Sequence, residues 1–80
     1  MNYTVYILED DKGKFYKGVT NNLQRRLREH NRGHTDTTRK MRGLKVVYTE
    51  QLEDWVQARK RELYFKSAAG RRFLNKILPR

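Results

Sequence analysis

Five side chains of this sequence supply the groups that hydrolysis of a phosphodiester needs. They are two tyrosines ten residues apart, an arginine and a histidine one helical turn apart, and a later glutamate: Tyr6, Tyr16, Arg26, His30 and Glu62. Hydroxyls and an imidazole can move protons, a guanidinium fork can hold a phosphate, and a carboxylate can bind a divalent cation. Each residue is ordinary alone, so the set has meaning only if the fold brings its members together on a charged polymer.

The charge of the chain indicates which polymer that would be. Its 80 residues include 19 Lys and Arg against 9 Asp and Glu, a formal net charge of +10. Such a surplus repels itself in a small protein, so its plausible use is attraction to a polyanion. Nucleic acid is the first candidate and an anionic membrane surface the second.

Most of the basic residues fall in two segments, eight between Arg25 and Lys45 and eight between Arg59 and Arg80. A duplex lying across both would be held mainly through phosphates, which gives affinity without sequence specificity. Because no base-reading module is apparent, recognition of shape (a flap, branch or nick) is favoured over recognition of sequence. We predict nucleic-acid contacts at Lys17, Arg25, Arg39, Lys40, Arg42, Lys66, Arg71 and Arg72.

Length and composition predict one small domain over residues 1–80, with room for a single thin core. Cysteine is absent, so neither a disulfide nor a thiolate metal site can stabilise it. No signal-peptide pattern is present, and no segment approaches the roughly 20 apolar residues of a membrane span. We therefore expect a cytoplasmic protein without a membrane partner, and a monomer.

Three strands are predicted from runs of β-branched and aromatic residues: Tyr3–Leu8, Lys14–Val19 and Leu44–Glu50. The first two form a hairpin. If its turn centres near residues 11–12, Tyr6 and Tyr16 lie nearly opposite each other, although core packing is the default for a tyrosine in a strand. Gly18 weakens a strand unless a backbone or ligand must approach closely, which favours a substrate near Tyr16.

Three helices are predicted. The first begins at a Thr20 or Asn21 cap and ends near Arg32. The second opens at Asp54 and reaches about residue 66. Residues 67–70 interrupt the helical pattern before a last helix over 71–78. The predicted order is therefore ββαβαα. The polar segment 31–43 is predicted to be a surface loop that is mobile until it meets a partner.

Helical periodicity places Arg26 and His30 beside the leucine stripe of the first helix, and Arg25 and Arg28 on the side that faces water. A solvated basic helix would need neither residue at the edge of its apolar stripe. The alternative is an arginine that snorkels and a histidine that packs.

The second helix gives a sharper result. If Trp55 is the centre of its apolar face, Glu62 lies inside that face, together with Val56, Ala58, Leu63 and Phe65. A carboxylate directed toward the body of a small protein is costly unless it is paired or binds a metal. The alternative is an ion pair with Lys66 at i+4 or Arg59 at i+3. The inward placement favours function.

In this order and spacing, the residues resemble the GIY-YIG nuclease superfamily, in particular its small stand-alone bacterial members. The first motif reads Thr4-Val5-Tyr6 and the second reads Tyr16-Lys17-Gly18. Residues 20–31 (TNNLQRRLREHN) are similar to the family helix that carries its Arg and His, and residues 58–74 to the segment that carries the metal-ligand glutamate. Thr4 replaces the glycine of the first motif, and Val5 and Lys17 replace isoleucines. The cation of Lys17 suits phosphate binding.

The resemblance implies an α+β fold, a small three-stranded antiparallel sheet flanked by helices, and a metal-dependent endonuclease that acts on DNA. It implies that Tyr16 or Tyr6 helps to take a proton from water, and which of them acts as the base stays open. It assigns the scissile phosphate to Arg26 and one Mg²⁺ or Mn²⁺ to Glu62. His30 would assist proton transfer, since imidazole titrates near neutral pH.

Two other functions use the same residues. A non-catalytic, basic nucleic-acid-binding domain could retain the fold, and its choice of DNA or RNA would be open. A basic RNA-binding protein of the translation apparatus is disfavoured, because charge alone would not direct Glu62 inward. Presence of all five site residues favours the nuclease.

Overall fold

A computed structural model describes residues 2–33 and 40–78 of the chain. The elements are β1 (Tyr3–Glu9), β2 (Phe15–Thr20), α1 (Leu23–Asn31), β3 (Lys45–Leu52), α2 (Trp55–Lys66) and α3 (Ala68–Ile77). The strands form one antiparallel sheet in the order β2-β1-β3. The predicted α+β fold, a three-stranded antiparallel sheet flanked by helices in the order ββαβαα, is confirmed.

The central strand β1 has helices over both of its faces, and its residues from Thr4 to Leu8 are all buried. That double cover explains why its sequence lacks apolar and polar alternation. Val5 and Ile7 point to one face, where they form the core with Ala58 and Phe65 of α2 and Leu74 of α3.

The opposite face of the sheet carries Tyr6 and Leu8, because side chains alternate along a strand. The register pairs Tyr6 with Gly18 and Leu8 with Tyr16. The prediction that Tyr6 and Tyr16 lie nearly opposite each other is therefore confirmed, with the two residues offset by one position on the same face. They are diagonal neighbours on the same face, and α1 covers them through His30.

Local hydrogen bonds decide where the hairpin turns and where α1 begins. The Asp10 carboxylate accepts hydrogen bonds from the backbone N–H groups of Lys12 and Lys14, at 3.0 and 2.7 Å, and this fixes the turn. The N-cap of α1 is Asn22, whose side chain accepts from the Arg25 N–H at 3.0 Å. It is neither Thr20 nor Asn21, because Thr20 still belongs to β2 and its hydroxyl accepts from the Asn22 N–H at 3.1 Å.

The last two helices are separated by Ser67 alone. Ser67 caps α3 by accepting a hydrogen bond from the Gly70 N–H at 3.2 Å. The predicted interruption over residues 67–70 is therefore too long, and α3 begins at Ala68 rather than at Arg71. Asp54 caps α2 as predicted, accepting from the Gln57 N–H at 2.8 Å.

The buried face of α2 is centred on Ala58, Glu62 and Phe65. Trp55 and Leu63 are each 50% exposed, so the buried face of α2 is not centred on Trp55 as predicted. The cause is that an aromatic residue in the first turn can pack on the sheet margin without entering the core.

Only part of the predicted loop over residues 31–43 can be compared, because 34–39 lie outside the described residues. After that gap the chain is anchored to the hairpin, where the Asp11 N–H donates to the Arg42 carbonyl at 2.8 Å. Within the described ranges, no helix is long and apolar enough to cross a bilayer.

Candidate active site

Tyr6 is the buried centre of the candidate site. A hydrogen bond of 2.7 Å joins its hydroxyl to Nε2 of His30, 24 residues later in α1. Opposite it, a Cβ on residue 18 would lie about 2.5 Å from the Tyr6 hydroxyl oxygen and Cζ. Gly18 is thus required by the Tyr6 ring. The predicted reason, close approach of a substrate, is not needed to explain it.

Three rings pack together on this face of the sheet. The Tyr16 and His30 ring centroids are 4.6 Å apart in an edge contact, and the Tyr6 and Tyr16 rings stack with centroids 6.2 Å apart. Tyr6 is fully enclosed and Tyr16 is half-buried. Of the two tyrosines, Tyr16 is therefore the more accessible from solvent.

Arg26 places a permanent cation beside these rings. It forms an ion pair of 3.2 Å with Glu29, and the hydroxyls of Tyr6 and Tyr16 are close enough to act on its pKa. Burial acts to lower the pKa of Arg26, but these interactions outweigh it and raise the pKa above its ordinary value. Arg28 is exposed on the far side of α1, as predicted, whereas Arg25, although also exposed, borders the same open groove as Arg26.

The two groups joined at the centre of the site are both neutral at pH 7. Burial raises the pKa of the Tyr6 hydroxyl to about 12. Burial, and then the charge of Arg26, lower the pKa of His30 to about 4. The expectation that this imidazole titrates near neutral pH is therefore wrong in this surrounding.

Glu62 is 7% exposed, so the prediction that it faces inward is confirmed. Both cations named as alternative partners also contact it: Arg59 forms an ion pair with one oxygen, and Lys66 Nζ lies 3.2 Å from the other. The carboxylate belongs to the helix on the opposite face from Tyr6, yet its charge contributes to the raised pKa of Tyr6. The Tyr6 ring extends over the edge strand β2 at Gly18.

The donor set fits a divalent cation only in part. In the described ranges, no three His, Asp or Glu side chains gather as a ready-made metal site. A lone inward carboxylate still suits Mg²⁺ or Mn²⁺, since such hard cations keep several waters and take one or two carboxylates plus substrate phosphate oxygens. The side chains of Arg59 and Lys66 are each 47% exposed, so both can leave Glu62 without disturbing the core.

Among the predicted nucleic-acid contacts, Lys66 contacts Glu62, and its charge and that of Arg71 act on Lys17. Burial lowers the pKa of Lys17, and the charges of Arg71 and Lys66 lower it further, so these cations lie close together. Like charges gathered in this way favour an anion between them. The other described members of the predicted set are exposed and more scattered: Arg25, Lys40, Arg42 and Arg72. Arg39 lies outside the described residues.

An open groove of about 450 Å³ adjoins the site at Arg26 and also includes Trp55. The sequence does not predict this groove, because the helical pattern places Trp55 at the centre of an apolar face. The available signal was the position of Trp55 directly after the helix cap, where a side chain overhangs the end of the sheet.

Known proteins resemble this chain over the whole range that contains its motifs. The family model for the GIY-YIG catalytic domain matches residues 2–76. A UPF0213 protein of Clostridium perfringens is 43% identical over 67 residues, which are 82% of this chain and 71% of that protein. A UPF0213 protein from the VLF1-GP41 intergenic region of Autographa californica nuclear polyhedrosis virus is 32% identical over 78 residues, 95% of this chain and 75% of that protein.

A solved structure is similar in fold. The solution NMR structure of a UPF0213 protein from Bacillus halodurans superposes with a TM-score of 0.61 at 30% identity, and the match covers 96% of this chain and 85% of that one.

Proposed function

Because the chain belongs to the GIY-YIG family, we propose that it is a divalent-metal-dependent endonuclease that hydrolyses phosphodiester bonds in DNA and selects its substrate by shape rather than sequence. One observation carries the proposal: Tyr6, Tyr16 and His30, from three different elements, pack as one cluster of rings, and the charges of Arg26 and of the inward-facing Glu62 both act on the pKa of the Tyr6 hydroxyl. Ordinary core packing would not require a cation and a carboxylate at this place.

The first role belongs to Arg26. Its guanidinium lies at the rim of the ring cluster and stays charged, so it can hold the non-bridging oxygens of the scissile phosphate. As water attacks phosphorus and the bond to the leaving oxygen breaks, negative charge grows on those oxygens. A fixed cation then stabilises the transition state more than the ground state.

We assign the contact with the attacking water to Tyr16. Its side chain is half-buried and its hydroxyl interacts with Arg26, whereas the Tyr6 hydroxyl is enclosed and bonded to His30. A pKa of about 12 also keeps Tyr6 protonated at neutral pH. Tyr6 and His30 therefore act as positioning residues that hold the Tyr16 ring.

Glu62 is the proposed ligand of Mg²⁺ or Mn²⁺, which when bound would act as a Lewis acid on the phosphate and assist its leaving oxygen. In the absence of a cation, Arg59 and Lys66 neutralise the carboxylate. When a bound cation replaces Lys66 at Glu62, Lys66 joins Lys17 and Arg71 in a basic pocket for a neighbouring phosphate of the same strand.

The alternative is a non-catalytic DNA-binding domain that retains this fold. The observation in its favour is that Glu62 already has two cationic partners, as a purely structural carboxylate would. The nuclease and the binding domain predict opposite results for one substitution.

The deciding experiment replaces Glu62 by Gln and measures cleavage of linear, nicked, flapped and branched DNA with Mg²⁺ or Mn²⁺. A metal ligand predicts loss of cleavage by at least about 100-fold, with metal-free DNA affinity intact or slightly higher because a negative charge is removed. A structural ion pair predicts a lower melting temperature and an unchanged rate per folded molecule. Equal cleavage by Glu62→Gln and wild type would leave a binding domain.

A second variant tests the phosphate ligand. Arg26→Ala should lower the cleavage rate by about 100- to 1,000-fold and DNA affinity by much less, since one phosphate contact among several contributes little to binding. Arg28→Ala removes the same charge from the exposed side of α1 and should keep most activity. Equal losses of rate in the two variants would show that only overall charge matters.

A further inference from the structure

The groove beside Arg26 has a wall made by the beginnings of β1 and α2 and the end of β2. We call it the Trp55 groove; its lining includes Tyr3, Val19, Arg25, Arg26, Glu29 and Trp55. Its volume of about 450 Å³ is within the range of small-molecule sites. Arg26 belongs both to this groove and to the cluster of tyrosines, so a ligand in the groove lies next to the proposed scissile phosphate.

Trp55 is held in place without being buried. Its side chain is 50% exposed, and the Tyr3 ring meets it edge-on with centroids 5.6 Å apart. The Asp54 cap fixes the start of the helix that carries it. A rigid, half-exposed aromatic residue is the kind of platform on which single-stranded nucleic-acid bases stack.

The charges of the groove indicate what would stack there. Arg25, Arg26 and Glu29 line it, and Glu29 pairs with Arg26 at 3.2 Å, so the lining keeps one positive charge in excess. An occupant that combines a flat apolar face with a negative group therefore complements both the aromatic platform and the charge. A nucleotide has that combination. A base inside a duplex has both faces covered by its neighbours, so only an unpaired base can use an aromatic platform.

We propose that the Trp55 groove binds the base of an unpaired nucleotide adjacent to the phosphate held by Arg26. This inference rests on the proposed nucleic-acid substrate and deepens it: DNA with an unpaired nucleotide at the site, such as a flap or a gap, is bound in preference to continuous duplex. Selection by shape then has a physical basis in the chain itself.

The chain contains a single tryptophan, so fluorescence excited at a wavelength that tryptophan absorbs and the five tyrosines do not reports on this groove. In buffer with EDTA, which prevents cleavage, wild-type protein is titrated with single-stranded oligo(dT), with a gapped duplex and with a continuous duplex. We expect quenching by the first two ligands and little change with the third, while fluorescence anisotropy of labelled DNA reports binding of all three.

Variants at the same position separate stacking from charge. Trp55→Leu keeps apolar bulk without an aromatic face, and should weaken binding of oligo(dT) and gapped DNA by about 5- to 150-fold while leaving duplex affinity unchanged. Trp55→Phe should restore most of that affinity. Leu63→Ala is the control, since Leu63 is equally exposed on the same helix and should have no effect.

Each contrary result has a separate meaning. If oligo(dT) binds by anisotropy but Trp55 emission stays constant and Trp55→Leu binds as wild type, the groove is not a base site, and the nuclease proposal is untouched. A concentration-dependent emission change without DNA would show that a second copy of the chain occupies the groove. No binding of any DNA would overturn the proposed function as well.

Discussion

His30 is a neutral imidazole at pH 7, because burial and the charge of Arg26 lower its pKa to about 4. The unfolded chain has an ordinary histidine pKa of about 6.5. Since the folded-state value is the lower one, the stability that neutral His30 contributes is full above about pH 6.5 and is lost as the pH falls toward 4. Between about pH 4 and pH 6.5 the unfolded chain binds more protons than the folded chain.

The surroundings of His30 predict a change in its pKa that can be measured whether or not the protein cleaves DNA. Arg26→Ala should raise the pKa of His30 toward 6.5, since it removes a neighbouring cation and admits water to the ring cluster. An NMR titration of the imidazole signals measures this directly, and His34→Asn identifies which of the two histidines is which. Arg28→Ala should leave the His30 pKa unchanged. A wild-type value near 6.5 would show that the imidazole is not enclosed.

Helical periodicity could predict that the Glu62 side chain faces inward, because this depends only on the sequence of its own helix. The partners of Glu62 are three and four residues away, so the same pattern contained both of its ion pairs. The state of His30 could not be predicted in this way. It depends on Tyr6, which is distant in sequence and becomes a neighbour only when α1 packs on the sheet.

At the scale of elements, the hairpin shows how closely a register can be predicted. The predicted turn centre, near residues 11–12, includes the observed one, since Tyr6 pairs with Gly18 about residue 12; a centre at residue 11 would pair Tyr6 with Tyr16 instead. Moving a partner by two residues keeps the side chain on the same face, whereas a shift of one would reverse it. Either of these two centres therefore places the two tyrosines on the same face as neighbours.

The start of α3 was missed because a glycine there suggests a break. Gly70 lies inside α3, where a Cβ would overlap the carbonyl oxygen of Tyr64 in α2. Glycine has poor helix propensity, but it lets the two helices approach closely at the turn that joins them. The local sequence shows the poor helix propensity of Gly70, but it does not show the close contact with Tyr64 that requires a glycine.

Gly70→Ala separates these two effects. Helix propensity alone would make the variant more stable by about 1 kcal/mol, whereas the overlap with Tyr64 should make it less stable by about 1–3 kcal/mol. Urea denaturation gives the free energy of unfolding. As a control, Ala69→Gly changes an exposed neighbour in the same helix and should show the propensity cost only. A more stable Gly70→Ala protein would contradict the close approach of α2 and α3.

Across the whole molecule, several acidic side chains neutralise particular cations. Glu29 pairs with Arg26, and Glu62 pairs with Arg59 and Lys66. In addition, Arg61 donates two hydrogen bonds to the Glu50 carboxylate, at 2.8 and 2.7 Å. Its guanidinium also lies over the rings of Tyr64 and Phe65. Arg61 therefore contributes to the fold and not to the surface that meets DNA, although the sequence places it among the basic residues of the second segment.

The remaining exposed cations predict a steep dependence of DNA binding on salt. Each phosphate contact releases condensed counterions, so log K against log salt should fall with a slope of magnitude about 4–7, near 0.9 per phosphate. Binding of duplex DNA in EDTA, measured from low to moderate salt, gives this slope. Arg72→Gln should lower its magnitude by about 1, because Arg72 is exposed and predicted to contact phosphate.

Trp55→Leu provides the matched comparison for that slope. Stacking of a base on Trp55 releases no counterions, so the variant should weaken binding of gapped DNA by the same factor at every salt concentration and leave the slope as in wild type. A slope near zero for duplex DNA would reject the polyanion interpretation of the +10 charge. A slope altered by Trp55→Leu would mean that the substitution displaces the arginines beside the groove, and that its effect on affinity is electrostatic.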